Sequence, residues 1–127
     1  MSTPPDEAAP GEQGLGRAAR VRRRGEYLRA YRRGRRRTGE LVVLHFVPND
    51  AGAPRVGVTV SRKVGNSVVR HRVKRRILEA YRRSSWRGDL PPWDFVVHVK
   101  PAAATADHAA VRQELDRLFG GVLRGGR

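Results

Sequence analysis

Apolar positions along this chain alternate between two spacings, and the switches divide it into elements. Over 25–33, Tyr27, Ala30 and Tyr31 recur at i, i+3 and i+4, one face of a helix, and Gly34 is placed to stop it. "ELVVLHFVP" is rich in β-branched residues and ends at Pro48, which predicts a strand over 41–47. "NDAGAP" is a turn cluster. In "RVGVTVSR", Val56, Val58 and Val60 point one way, and Gly57, Thr59 and Ser61 the other. "VGN" breaks that strand, and Asn66 or Ser67 can cap the helix that follows. At about 100° per residue, Val69, Val73, Ile77, Ala80 and Tyr81 form one apolar stripe. Arg70 lies at its edge, and Arg72, Lys74 and Arg75 lie around the open side. "WRGDLPPW" is a loop, and "DFVVHVK" a third strand over 94–100, stopped by Pro101. The last helix is expected to start with Asp107 as N-cap and to bury Val111, Leu115, Leu118 and Val122. The order α, β, β, α, β, α, with room for one further short strand, predicts an α+β domain with helices against a small sheet.

Charge changes the picture from fold to partner. The 127 residues suit one domain. They carry 27 Lys and Arg against 12 Asp and Glu, a net +15. Such a surplus opposes compaction unless a polyanion neutralises it. The cations cluster in two blocks, 17–37 and 62–87, whose only acids are Glu26 and Glu79. Residues 1–17, rich in Pro, Gly, Ala and acid, are expected to be a disordered tail. That leaves 18–127 as a single RNA-binding domain. The absence of cysteine excludes disulfides and cysteine–metal sites. No apolar run approaches the roughly 20 residues of a membrane span. Acids stand where a signal peptide would be basic and apolar, so the expected compartment is the cytoplasm, without a membrane partner.

The reactive residue types form no catalytic set. His45, His71, His98 and His108 lack zinc-motif spacing. His98, within a strand, reads as a packed residue, and His108 as an exposed first-turn residue. Asp89 and Asp94 flank a loop, where turn or strand-start roles fit. No nucleophile, carboxylate pair or metal cage emerges. The basic helix is the stronger signal. A solvated helix mixes signs to gain i,i+4 pairs, and Arg70 in the first turn opposes the helix macrodipole. A phosphate backbone alongside reverses both costs. A membrane surface is disfavoured because the helix lacks a bulky insertion face. Tyr27 and Tyr31, among arginines, offer stacking surfaces suited to single strands. The alternative is that they pack the first helix onto the sheet.

"VGVTVSRKVGNSVVRHRVKRRILEAY" resembles the signature of the protein subunit of bacterial ribonuclease P, in which a strand ending in a V-S-K-K-like run leads through G-N-A-V into R-N-R-x-K-R on a helix. "RRRGEYLRAYRRGRR" is similar to that family's first helix, and "VVHVKPAAATADHAAVRQELDRLF" to its last strand and helix. The resemblance implies a small mixed sheet, with the basic helix in a left-handed βαβ crossover against the usual rule, as in the second domain of a small-subunit ribosomal protein. It implies a non-catalytic subunit of an endoribonuclease that removes the 5′ leader from precursor tRNA. The expected partners are a catalytic RNA and precursor tRNA, with no obligate protein partner. The expected cofactor is Mg2+ used by the RNA, with none bound strongly by the protein. Carried over by position, Arg62, Lys63, Asn66, Arg70, His71, Arg72, Lys74, Arg75 and Arg76 are expected to meet the catalytic RNA. Tyr27, Tyr31, Val43, His45, Thr59 and Ser61 are expected to line a leader groove, with the first helix as its wall. His71 and Leu78 depart from the pattern, standing where relatives have Asn and often Arg. Two other classes compete: a ribosomal or general RNA-chaperone protein, and a protein-only nuclease.

Overall fold

In a computed structural model, which describes residues 15–125, the short first helix α1 is Arg24–Arg33. Four strands follow, interrupted by the basic helix: β1 Arg35–Thr38, β2 Val42–Pro48, β3 Arg55–Val60, α2 Ser67–Arg83 and β4 Trp93–Val99. The last helix, α3, is His108–Gly125. The sheet order is β1-β2-β4-β3. β1 with β2 and β2 with β4 are antiparallel, whereas β3 and β4 are parallel neighbours. The β3–α2–β4 segment is thus a βαβ unit in a mixed sheet of an α+β fold.

Strand alternation sends side chains to two unlike faces. Leu44 and Phe46 of β2, Val56 and Val58 of β3, and Phe95 and Val97 of β4 are buried on one face. Their core includes Val73, Ile77, Ala80 and Tyr81 of α2 and Leu115, Leu118, Phe119 and Val122 of α3, so both expected apolar seams are used. Large aromatic rings dominate this layer. Trp86 stacks on Phe119 at 4.3 Å, and Phe95 tilts against Phe119 at 5.3 Å. Burial pushes the Tyr81 phenol up to about 12.

The opposite face carries α1. Ala30 is fully buried in a cluster with Val21, Val47 and Val96, and its small side chain lets the helix sit close to the sheet. Gly57 is required for the same approach, because a Cβ there would come within 2.8 Å of the Tyr27 ring. Gly34 ends α1 where a Cβ would stand 2.7 Å from the Phe46 carbonyl oxygen.

Buried carboxylates tie these layers together. Asp94 is fully buried and takes both arms of Arg55, with Nε donating to Oδ1 at 2.7 Å and Nη2 to Oδ2 at 2.9 Å. Asn49 Nδ2 also donates to Asp94 Oδ1. Arg55 Nη1 reaches Glu26 Oε2 at 3.2 Å, while Glu26 Oε1 accepts the backbone N–H of Arg22 and Arg23. Burial pushes the Glu26 carboxyl up, but those backbone bonds and the Arg55 charge leave it below its ordinary value. At the far end, Glu114 accepts the backbone N–H groups of Glu40, Leu41 and Val42, fastening α3 to the start of β2.

Several expectations need correction. The proposed tail was 1–17, and 1–14 lie outside the described residues. Leu15, however, packs into the core and Arg17–Ala19 forms a 3-10 turn. A single apolar anchor among Gly and Glu has no periodicity to reveal it. The unplaced strand is β1, "RRRT", an edge strand whose mostly exposed residues carry no alternating apolar signal. Asp94 is no simple strand start but the centre of an ion-pair network. The start of α2 is as expected, with Asn66 Oδ1 accepting the Val69 N–H at 3.0 Å.

Arg55→Ala should cost about 3–5 kcal/mol in urea unfolding, because it strands the buried Asp94 charge. A loss under about 1 kcal/mol would show that the network does not brace α1 against the sheet.

Candidate nucleic-acid interface

Cross-strand register sets out the α1 face in three rows: Val47, Asp94 and Arg55; His45, Val96 and Gly57; Val43, His98 and Thr59. The helix covers the first two rows. At the third, Tyr31 reaches over with its hydroxyl. Tyr31 Oη lies 2.6 Å from Thr59 Oγ1, and Thr59 Oγ1 lies 3.0 Å from His98 Nδ1. The Tyr31 ring meets His45 edge-on at 4.7 Å between centroids. Beside them is an open cavity of about 430 Å³ lined by Tyr31, His45, Thr59, Val60, Ser61 and His98.

A trough runs from that cavity along the outer edge of β3. Val58, Thr59 and Val60 form one wall of its next section, and Arg70, His71 and Lys74 of α2 the other. Further along, Lys74 and Leu78 face Arg20, Arg22 and Tyr27 across Val58 and Gly57. The backbone N–H of Val21 donates to the Val56 carbonyl, so the first part of this strand edge is covered and the later part is open.

The cations just before α2 and along its first three turns are not neutralised by acids of the described fold. Arg62, Lys63, His71 and Arg75 are exposed, and Arg70, Arg72, Lys74 and Arg76 are half-buried. Among the described residues, none of these forms an ion pair. The acid of this helix, Glu79, is held instead by Arg82 and Arg83, each at 2.6 Å. Arg82 hydrogen bonding dominates in lowering the Glu79 carboxyl below its ordinary value. Arg70 Nε donates to the Gly65 carbonyl, which holds its stem against the helix start while the rest of the guanidinium keeps free donors. Val68, 69 % exposed, adds an apolar spot in the first turn. Among the described residues, no group of three His, Asp or Glu converges to hold a metal ion. No described helix is long and apolar enough to cross a membrane.

The expected groove residues are partly regrouped. Tyr31, His45, Thr59 and Ser61 do come together. Tyr27 lies in a different section, over Gly57, and donates its hydroxyl to the Val21 carbonyl at 3.1 Å. Val43 is in register with His98 but does not line the cavity. Lys74, expected on the basic face alone, lines both sections of the trough. Leu78, off the apolar stripe, lines it too and also packs on the core. His98, expected to be packed, is half-buried at the cavity. Alternation along β4 already put it opposite Phe95 and Val97, but only the placement of α1 over the neighbouring rows leaves that face open there.

Comparison with known proteins agrees with this architecture. The family model for Ribonuclease P matches residues 15–122. A ribonuclease P protein component from Streptomyces avermitilis is 39% identical over 117 residues, covering 84% of this chain and 94% of the relative. One from Clostridium botulinum is 34% identical over 100 residues, covering 79% and 90%. Among solved structures, the RNase P protein from Thermotoga maritima matches with a TM-score of 0.69 at 29% identity, covering 77% of this chain and 92% of that one. The Staphylococcus aureus protein matches in fold with a TM-score of 0.73 at 22% identity, covering 80% and 93%.

Burial, the neighbouring His98 and the charge of Arg36 hold the His45 imidazole below its ordinary value. The unfolded chain therefore takes up this proton at a higher pH than the folded one. The neutral ring's contribution to stability is present above about pH 6.5 and is lost as pH falls through the lower folded value. Urea unfolding at about pH 7.5 and about pH 5.5 should show a smaller acid loss in His45→Phe, which keeps a ring against Tyr31, than in the wild type. Equal losses would show that His45 does not titrate in this setting.

Proposed function

The chain belongs to the ribonuclease P protein-component family and so is a subunit of a tRNA-processing ribonuclease, and from that premise we propose that it holds two RNAs on adjoining surfaces. The exposed side of α2, with Arg62, Lys63, Arg72, Arg75 and Arg76, docks the ribonuclease P RNA. The trough beside it, from Lys74 to the Tyr31 pocket, takes the unpaired 5′ leader of precursor tRNA. The observation that carries this reading is the sequence of adjoining hollows along one strand edge, β3, with aromatic and imidazole rings at one end and Arg70 and Lys74, which form no ion pair among the described residues, beside it.

The division follows from the chemistry of each surface. A convex array of guanidinium groups meets phosphates of a folded RNA without reading sequence. Arg suits this because its planar fork can pair with phosphate in two-point fashion. A concave trough with a ring at its end suits an unpaired strand, whose bases are free to stack. Hydrolysis of the phosphodiester, with Mg2+, belongs to the RNA subunit, and the chain contributes affinity and position. These partners meet in the cytoplasm.

Adding the purified chain to a bacterial ribonuclease P RNA at low magnesium should accelerate 5′-leader removal. No acceleration over RNA alone would overturn the assignment. With the assembled enzyme, Arg72→Ala and Arg75→Ala should each weaken RNA-subunit binding and reduce the slope of log K against log salt by about one unit. Tyr31→Ala should instead lower the preference for precursor over mature tRNA, by about 1–3 kcal/mol if a base stacks there. A general loss of RNA affinity with the preference intact would remove Tyr31 from the leader site.

A further inference from the structure

The pocket at the end of α1 holds a hydrogen-bonded chain that general RNA affinity does not require. Tyr31 Oη, Thr59 Oγ1 and His98 Nδ1 follow one another at 2.6 and 3.0 Å. The Thr59 hydroxyl can accept from both neighbours, or accept from one and donate to the other, so the direction of the chain follows from where each proton finds an acceptor. A phenol donates more strongly and accepts more weakly than an aliphatic hydroxyl, and a neutral imidazole nitrogen is a good acceptor. Tyr31 therefore donates to Thr59, and Thr59 donates to Nδ1. The reverse order would leave the Tyr31 proton, and donation by both neighbours would leave the Thr59 proton, without a protein acceptor among the described residues. With Nδ1 accepting, the neutral ring carries its proton on Nε2. That atom has no protein partner among the described residues, and its ring lines the cavity beside His45.

We propose that His98 is a specificity-determining residue of this pocket: its tautomer is set by the Tyr31–Thr59 chain, and its Nε2–H is given to an acceptor atom of an unpaired nucleotide lodged against Tyr31. The inference rests on the leader-binding reading and goes beyond it by naming the contact. The acceptor belongs either to a base edge or to a phosphate, which share this chemistry. A strand His is well suited to the task. Its register with Thr59 on one side and Val43 on the other fixes the ring at the pocket floor. A flexible Lys would bring charge without a fixed donor direction.

The tautomer is measured first, on the free full-length chain, from ring nitrogen shifts at about pH 8, where histidine is neutral. The expected result is an unprotonated Nδ1 and a protonated Nε2, with Tyr31→Phe mixing the two forms. A proton on Nδ1 in the wild type overturns the proposal. The second measurement is the ratio of precursor to mature tRNA affinity in the enzyme assembled on a bacterial ribonuclease P RNA. His98→Val, a natural strand residue, should lower that ratio roughly 2- to 10-fold, the range of one net hydrogen bond. Precursors with single abasic leader positions separate the two acceptors. If a base is read, one abasic position abolishes the His98→Val effect; if a phosphate is read, none does. An unchanged ratio in His98→Val overturns the inference. Tyr31→Ala then separates the two claims: a lowered ratio leaves leader binding standing without His98, and an unchanged one removes both. Thermal melting establishes whether His98→Val folds, and the wild-type tautomer tests the proposal independently of that variant.

Discussion

The placement of one helix over only part of the sheet beneath it is the constraint on which this molecule depends. The ten residues of α1 extend about 15 Å, and the strands it crosses run to seven residues each. Its start is pinned by the Glu26–Arg55–Asp94 network and its end by the close approach of Gly34 to β2. Between these limits it packs over the first two rows, leaving His45 at their margin, and reaches the third only through the Tyr31 hydroxyl. The open pocket is thus a consequence of where α1 lies on the sheet.

The distribution of acids makes the second surface. Most described carboxylates with a partner are engaged away from the basic face: Asp94 and Glu26 with Arg55, Glu114 with backbone N–H groups at the start of β2, and Asp116 with the Trp86 indole N–H. Glu79, the acid of α2, is held by Arg82 and Arg83 at the end of that helix. The preceding turns of α2 are left with cations and no counter-charge from the described part of the chain. Self-repulsion there opposes folding of the free protein, and phosphate relieves it. The same helix also packs Val73, Ile77 and Tyr81 into the main core, so the charged side is carried on a rigid element.

Periodicity revealed the elements that bury apolar residues in a regular stripe. The seam of α2, the alternation of β3 and the seam of α3 could each be read from residue spacing, and the ordered basic motif carried the family. What spacing could not reveal depends on single residues or on relative placement. Leu15 is one anchor, and β1 is a polar edge. Tyr27 and Tyr31 share a helical face in the sequence, yet Gly57 lets one ring sink over the sheet while the other stands at the pocket. Asp94 finds Arg55 only because β3 and β4 pair in parallel. His98 becomes a pocket residue only because α1 lies over the neighbouring rows and leaves this one open.

The central claim is that two RNAs occupy adjoining but distinct surfaces, and the absence of native cysteine permits a direct test. Ser61→Cys and Arg75→Cys, each carrying a photo-crosslinker, would be assembled with the ribonuclease P RNA and precursor tRNA. The account predicts that position 61 marks the 5′ leader and position 75 marks the ribonuclease P RNA. Crosslinks from both positions to the same RNA would contradict it.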